Sequence, residues 1–195
     1  MKTEIDPNLA EYIKRYISIS DEELTLVASF LTSKKLKKKE YLLQEGRICH
    51  SRYFVTKGCF RVYYLDPKGV EQIVHFGLEY WWITDYNSLI AQCPSVMNIQ
   101  AIEDAEVLVL NEEKLEELCA KLPKIERFFR KIMEKTYMAI QKRMEYMFSM
   151  SGEEMYDVFV TANPEFARRV PQYMLASYLG FTPEFLSKMK AKKYK

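Results

Sequence analysis

The sequence is poor in the residues on which most catalytic and metal sites depend. It has two histidines and four cysteines, and the cysteines stand at least ten residues apart, so there is no C-x-x-C pair. It also lacks a glycine-rich phosphate loop, an H-E-x-x-H motif and a serine nucleophile elbow. These absences argue against an enzyme, and we predict no catalytic residue and no metal site.

Long apolar runs are missing as well. No stretch reaches the roughly 18 apolar residues that a membrane helix needs, and the N-terminus lacks the basic and apolar regions of a signal peptide. We therefore expect a cytoplasmic protein with reduced thiols and no membrane partner. The apolar share of 48% over 195 residues is ample for one large or two small buried cores.

Charge is unevenly distributed along the chain. The formal net charge is only +2, yet the segment from Glu165 to Lys195 holds seven basic and two acidic residues. A basic end on a slightly acidic body is what contact with nucleic-acid phosphates needs. C-terminal lysines that merely face solvent would give the same pattern, so the charge alone leaves both interpretations open.

The N-terminal part reads as helical over residues 7–31. Apolar residues recur there at three- and four-residue steps, and Ser20 with Glu23 forms a capping-box pattern that predicts a second helix from Leu24 to Leu31. The stretch from Lys34 to Lys39 interrupts this periodicity. We predict that it is a solvated connection leading into a strand, the alternative being a patch for nucleic acid.

Short β-type runs separated by turn residues fill the chain from Tyr41 to Leu110. Residues 54–55, 60–64 and 72–76 are rich in β-branched and aromatic side chains, and Asp66 to Gly69 is a turn in which proline and glycine favour the required dihedral angles. The last run, Ala105 to Leu110, ends at Asn111, a plausible N-cap for a helix from Glu112 to Cys119. Such strands predict a sandwich or a barrel-like roll.

The longest helical pattern begins after Pro123 and runs to about Met150. One seam of this helix falls close to a 3.5-residue repeat, which is typical of helices that pair two copies of a chain. The predicted dimerisation residues are Phe129, Ile132, Thr136, Ile140 and Met147. The alternative is that the helix packs only on its own domain.

The C-terminal segment reads as two short helices joined by a tight turn. Pro171 suits the first turn of a helix, and Gly180 suits the left-handed residue that ends it. Thr182, Pro183 and Glu184 then combine an N-cap, a first-turn proline and an acidic residue at a helix start. These signals predict a helix-turn-helix.

The second helix of this pair would bury Phe185, Leu186 and Met189 and leave a polar face outside. Glutamate can accept a hydrogen bond from cytosine N4, and lysine can donate to guanine, so that face could read bases in a major groove. The predicted DNA contacts are Thr182, Pro183, Glu184, Ser187, Lys188, Lys192 and Arg169. A helical hairpin used for structure alone is the competing interpretation.

The whole order of elements resembles the Crp/Fnr superfamily of bacterial transcription regulators. The resemblance lies in three stretches: residues 42–46 followed by 53–58, residues 103–108, and the terminal helical pair. It implies an α+β fold with a double-stranded β-helix or jelly-roll-like domain of cyclic-nucleotide-binding type over residues 1–122. A dimerisation helix over 123–150 and a helix-turn-helix domain over 151–195 would follow.

The resemblance also implies a function. Members of the superfamily bind DNA as homodimers at inverted repeats, and the positions matching Glu184 and Lys188 read bases, with Pro183 and Ser187 beside them. Double-stranded DNA, a second copy of the chain and RNA polymerase are thus the expected partners. The alternative is a small-molecule-binding or interaction module that kept the fold but lost effective DNA binding.

Two departures from the family pattern alter these expectations. Where cyclic-nucleotide binders have a glycine and glutamate and then an arginine for the phosphate, this chain has Thr84, Asp85 and Ser95. We therefore expect no cyclic AMP and no other cofactor. A pocket for some less charged effector is a second possibility, against the simpler interpretation of a packed aromatic core. Its residues would be Trp81, Trp82, Asp85, Tyr86 and Ser95.

The second departure concerns the β-hairpin wing that usually follows the recognition helix. The sequence ends at Lys195 without one, which predicts a truncated or absent wing. Lys190, Lys192, Lys193 and Lys195 would then supply phosphate contacts in its place.

Overall fold

The computed structural model describes residues 4–193, with side chains as far as residue 191. Its helices are α1 (Pro7–Lys14), α2 (Asp21–Ser29), α3 (Tyr86–Ala91), α4 (Glu112–Lys121), α5 (Lys124–Ser149), α6 (Gly152–Ala162), α7 (Pro164–Arg169), α8 (Gln172–Leu179) and α9 (Pro183–Lys193). Its strands are β1 (Thr32–Leu36), β2 (Tyr41–Leu43), β3 (Ser51–Lys57), β4 (Phe60–Leu65), β5 (Glu71–Gly77), β6 (Trp82–Ile83), β7 (Asn98–Ala101) and β8 (Ala105–Asn111).

The strands form two antiparallel four-stranded sheets. One has the order β1-β8-β3-β6 and the other the order β2-β7-β4-β5. Side chains from both sheets, among them Val55, Phe60, Ile99 and Val107, meet in one buried cluster. Because successive residues of a strand face opposite sides, each sheet buries one face in this roll and offers the other to the helices. The α+β roll predicted from the sequence is confirmed.

The N-terminal helices and the start of α5 cover the outer face of β3. Phe54 is fully buried there, with its ring 5.3 Å from that of Trp82, and Phe129 of α5 lies 5.1 Å from Trp82. Both predicted caps are present: Ser20 and Glu23 form a complete capping box for α2, and the Asn111 side chain accepts a hydrogen bond from Glu113 N–H in α4.

The lysine-rich stretch differs from the prediction. Residues up to Leu36 form strand β1, which pairs with β8 on one side and is the edge of its sheet. Lys34 and Lys35 are exposed along that edge, and Lys35 pairs with Glu106 on the neighbouring strand at 3.1 Å. Charged side chains on an edge strand oppose pairing with another sheet, which explains why a strand can carry them.

The last four helices make a compact helical unit that contains the predicted helix-turn-helix. Gly180 ends α8 with φ at 78°, the left-handed conformation that the sequence predicts. Ala176 of α8 meets Leu186 and Met189 of α9 in one buried cluster, so a small residue lies where the two helices cross. Within residues 4–193, no strand follows β8 and none of the helices is long and apolar enough to cross a membrane.

Candidate nucleic-acid interface

Helix α9 presents a polar edge to solvent. The Thr182 hydroxyl accepts a hydrogen bond from Phe185 N–H at 3.2 Å and so caps the helix as predicted. Leu186 and Met189 are buried, whereas Glu184, Ser187 and Lys188 are exposed. These three lie on one side of α9 because Ser187 and Lys188 follow Glu184 by three and four residues. The N-terminal end of α9 is therefore free to approach another molecule.

Phe185 does not lie inside the domain as predicted. It is 46% exposed, and its ring packs at 5.2 Å against Phe181 in the turn before the helix. Leu186 and Met189 already fill the space against Ala176, and Phe185 lies about 100° around the helix from Leu186. An aromatic ring thus borders the polar edge beside Glu184.

The lysines beyond this point are only partly described. Lys190 donates a hydrogen bond to Gln172 at 3.0 Å and ties α9 to the start of α8. The side chain of Lys192, a predicted DNA contact, lies outside the described residues, as do those of Lys193 and Lys195. Their part in DNA binding stays a prediction.

Helix α8 is docked on the open edge of β5. That strand ends its sheet, so alternate backbone groups of β5 have no neighbouring strand to bond. The Ser177 hydroxyl accepts a hydrogen bond from Ile73 N–H and donates one to the Glu71 carbonyl, both at 3.0 Å. One side chain thus satisfies two backbone groups that the sheet leaves open.

Arg143, from the middle of α5, adds a second link between the same elements. Its guanidinium donates to the Val74 carbonyl of β5 at 2.5 Å and to the Tyr178 carbonyl of α8 at 2.7 Å. It also lies over the Tyr178 ring, 4.1 Å from the ring centre. The long helix, the roll and the helix-turn-helix therefore meet at one residue.

Arg169, predicted to contact DNA, has a different role in this conformation. Its guanidinium donates to Glu79 at 2.7 and 2.9 Å and also to Glu103, both of which belong to the roll. Burial raises the pKa of Glu79, but the hydrogen bonds and charge of Arg169 outweigh this and hold that pKa below its usual value. Two carboxylates already balance the positive charge of this guanidinium. In the docked state, Arg169 therefore fixes the helical unit to the roll.

Apolar contacts complete the docked interface. Phe76 of β5 packs on Phe166 at 4.9 Å and on Tyr178 at 5.5 Å.

His75 lies in the same strand, and its Nδ1 is buried without a hydrogen-bond partner. Burial and, secondarily, the charge of Arg143 lower the pKa of His75 to about 4. The interface thus holds His75 in its neutral form at neutral pH.

The predicted dimerisation seam divides into two parts. Phe129 and Ile132 are buried in the chain's own core with the N-terminal helices, which corrects the prediction for these two residues. Thr136, Ile140 and Met147 are exposed. The first turns of α5 pack on their own domain because they shield the aromatic cluster around Phe54 from water. The later turns extend beyond this cluster.

The exposed part of α5 carries an apolar stripe in a slightly different register. Its members are four, three, four and three residues apart, which is a heptad pattern: Met133, Tyr137, Ile140, Met144 and Met147. Phe148, beside the end of the stripe, is 86% exposed. Apolar side chains in such a row mark a surface that another molecule covers. The heptad passes through Tyr137, where the sequence predicts Thr136, and it adds Met144, which is not among the predicted residues.

The five residues of the predicted effector pocket do not line one open cavity. Trp81 is 52% exposed, whereas Trp82 packs in the aromatic cluster of the core. Tyr86 lies against the guanidinium of Arg52 at 5.4 Å. A cavity beside Trp82 has apolar walls and holds no more than about one water molecule. The indole N–H of Trp82 has no hydrogen-bond partner.

Asp85 and Ser95, the other two, are buried and bonded to each other. The Ser95 hydroxyl donates to the carboxylate of Asp85 at 2.6 Å. The other carboxylate oxygen of Asp85 accepts from Asn87 N–H at 3.1 Å and caps α3. The Ser95 hydroxyl and the Asn87 amide therefore satisfy both oxygens from within the chain. Among residues 4–193, no group of three or more acidic, histidine or cysteine side chains could hold a metal ion.

Comparison with known proteins agrees with this architecture. Residues 33–122 match the family model of the cyclic nucleotide-binding domain. The regulatory protein HlyX of Actinobacillus pleuropneumoniae is 25% identical over 190 residues, which covers 88% of this chain and 76% of HlyX.

Solved structures show the same fold. FixK2 from Bradyrhizobium japonicum superposes with a TM-score of 0.69 at 19% identity, covering 84% of each chain. A Crp/Fnr-family putative transcriptional regulator from Eubacterium rectale gives a TM-score of 0.68 at 14% identity, covering 96% of this chain and 86% of the other.

The chain is thus a cyclic nucleotide-binding-type roll joined by a long helix to a helix-turn-helix. That order of elements and these relatives confirm the resemblance to the Crp/Fnr superfamily noted in the sequence.

Replacing Ser177 by alanine should loosen the docked interface. The substitution leaves Ile73 N–H and the Glu71 carbonyl without their partner, so we expect the free energy of unfolding to fall by about 1–3 kcal/mol in urea titrations. Ser187→Ala, at an exposed position of α9, is the control and should change stability by less than about 0.5 kcal/mol. Equal stability of both variants would argue against the Ser177 contacts.

The buried Nδ1 of His75 and the low pKa of this side chain predict a pH effect. An unfolded histidine takes up a proton near pH 6.5, whereas the folded His75 does so only near pH 4. Stability should therefore fall as pH drops from about 6.5 to 4, by up to about 3 kcal/mol from this residue. His75→Gln should remove that part of the pH dependence, and His50→Gln, at an exposed position, should retain it. Parallel pH profiles for the wild type and His75→Gln would contradict the assignment.

Proposed function

We propose that the protein is a DNA-binding transcription regulator that reads an inverted repeat as a homodimer. The main support for this function is the polar edge of α9. Glu184, Ser187 and Lys188 remain exposed there while α8 is docked on the roll. A helix that begins at a capped N-terminus and offers a carboxylate and an ammonium group can contact base edges in a major groove. The name of the relative HlyX, a regulatory protein, supports the same function.

Dimerisation through the exposed stripe of α5 would place two such edges in one assembly. The stripe is apolar over two heptads, and its methionines can adapt to an irregular partner surface. Because Arg143 and Ser177 hold the helical unit to the roll, the distance between the two α9 helices would be fixed by the dimer. We expect a spacing of about 34 Å, one turn of DNA. RNA polymerase is a further expected partner, to which no residue is assigned.

The proposed regulator does not depend on cyclic AMP. The resemblance puts Ser95 where cyclic-nucleotide binders have the arginine that meets the phosphate, and the Ser95 hydroxyl donates its hydrogen bond to the buried carboxylate of Asp85. A phosphate at this position would lack a cationic donor, which opposes binding. A cytoplasmic location and a role other than catalysis accord with this proposal.

Lys188→Ala should weaken specific DNA binding by about 1–3 kcal/mol, since a base contact from α9 is lost. Fluorescence anisotropy with an operator selected from a random duplex library measures the affinity at several salt concentrations. Wild-type affinity should fall steeply as salt rises, because phosphate contacts release counterions.

Lys114→Ala is the matched control, since it removes the same charge from an exposed position on α4. It should leave DNA affinity unchanged within about twofold, or about 0.4 kcal/mol. If neither duplex selection nor low salt gave any binding by the wild type, the regulator function would be wrong, and the interaction-module alternative would gain support.

Ile140→Glu should disrupt the homodimer. Two carboxylates would face each other in the middle of the apolar stripe, where burial without partners is unfavourable. Sedimentation equilibrium should show a dimer for the wild type and a monomer for this variant. Gln141→Glu adds the same charge one residue away and should remain dimeric. A dimer that survives Ile140→Glu would place the interface elsewhere.

A further inference from the structure

Two of the four cysteines lie opposite each other, although 43 positions separate Cys49 from Cys93 in the sequence. Ile48 and Pro94 form an antiparallel β-bridge between the loop before β3 and the loop after α3. In an antiparallel pairing the next residue of one segment faces the preceding residue of the other, so the partners are Cys49 and Cys93. Their side chains lie on the same face of the bridge.

A single hydroxyl group links the backbones of these two residues. The buried side chain of Ser88, in α3, accepts a hydrogen bond from Cys49 N–H at 2.9 Å and donates one to the Cys93 carbonyl at 2.6 Å. The Ser95 N–H also donates to the Arg47 carbonyl at 2.9 Å on the same bridge. Facing residues of a directly bonded ladder have Cα atoms about 5 Å apart, and the inserted Ser88 hydroxyl adds to that separation. A disulfide spans about 4.4–6.8 Å between Cα atoms, so its formation would draw the two loops together around Ser88.

The surroundings of the two thiols differ. Cys49 is 1% exposed, and its Sγ lies 3.3 Å from the Thr84 hydroxyl and 3.4 Å from the Ser51 carbonyl. Cys93 is partly exposed, whereas Cys59 and Cys119 are buried like Cys49. A soluble oxidant therefore reaches Cys93 first, and Cys49 is the thiol placed to react with the oxidised product.

We propose that Cys49 and Cys93 form a reversible intramolecular disulfide, with a peroxide as the oxidant. The Cys93 thiolate attacks one oxygen of hydrogen peroxide, the O–O bond breaks, and a sulfenic acid and hydroxide form. The Cys49 thiolate then attacks the Cys93 sulfur and releases the second hydroxide. Two thiols lose two electrons and two protons, and the peroxide becomes two waters.

Closure of this disulfide would act on the elements that hold α5. It would join the two loops covalently beside Ser88, in the same short helix that presents Tyr86 to Arg52. Arg52 forms an ion pair with Glu112 at 2.6 Å and lies 5.0 Å from the centre of the Phe129 ring in α5. Two side chains, Tyr86 and Arg52, thus connect the short helix beside the cross-link to the base of the long helix.

The test uses the folded chain of 195 residues, freed of reductant and treated with hydrogen peroxide. Intact mass should decrease by two hydrogen atoms, and a non-reducing peptide map should show the Cys49 and Cys93 peptides joined. Dithiothreitol should restore the original mass. Cys93→Ser should abolish the linkage, and so should Cys49→Ser, which keeps a small polar atom beside Thr84.

Cys119→Ser is the matched control and should form the Cys49–Cys93 linkage as the wild type does. The inference is overturned if Cys49 remains fully alkylatable after Cys93 has been oxidised. It is equally overturned if Cys93 couples to Cys59, to Cys119 or to a second chain in preference to Cys49. Because the readout is the linkage itself, the result is independent of DNA binding.

Discussion

The open edge of β5 is the constraint on which the arrangement of this molecule depends. An edge strand presents backbone groups that must find partners, and here Ser177 and Arg143 provide them for Glu71, Ile73 and Val74. Because these partners come from α8 and α5, satisfying the edge also fixes where the helix-turn-helix lies. The polar side of α9 is then left in solvent as a consequence of the docking.

Because the helical unit is docked in this way, successive parts of the long helix α5 make different contacts. Its first turns close the aromatic core of the roll, its middle contributes Arg143 to the interface, and its exposed stripe is available to a second copy. Arg169 adds an electrostatic clamp between the two units through Glu79 and Glu103. Since that clamp uses the guanidinium that could otherwise meet a phosphate, docking on the roll and DNA contact by Arg169 would compete.

Local features of this fold could be predicted from the sequence, because they depend on neighbours in the chain. The cap at Ser20, the cap at Asn111 and the left-handed Gly180 each need only a few adjacent residues. The partners of Arg169 could not be predicted, since Glu79 and Glu103 lie 90 and 66 residues away. An arginine at the start of a basic segment carries no signal that distinguishes a carboxylate partner from a phosphate.

In the candidate site, too, only features that depend on neighbouring residues could be predicted from the sequence. The polar edge of α9 follows from helical periodicity, whereas the exposure of Phe185 depends on how closely α8 crosses. The exposed apolar stripe of α5 differs from the predicted dimerisation seam, because the packing of Phe129 on Trp82 sets which side of the helix faces the roll. Asp85 and Ser95 were recognised as a departure from the family, but their mutual hydrogen bond required coordinates.

Amide hydrogen exchange at Ile73, followed by NMR in the free protein, tests the docked arrangement most directly. This amide points away from the sheet and is bonded to the Ser177 hydroxyl, so it is protected only while α8 covers β5. We expect slow exchange, at a rate similar to that of amides inside the β4–β5 ladder. Exchange at the rate of an unprotected amide would contradict it, because the edge of β5 would then be open to water.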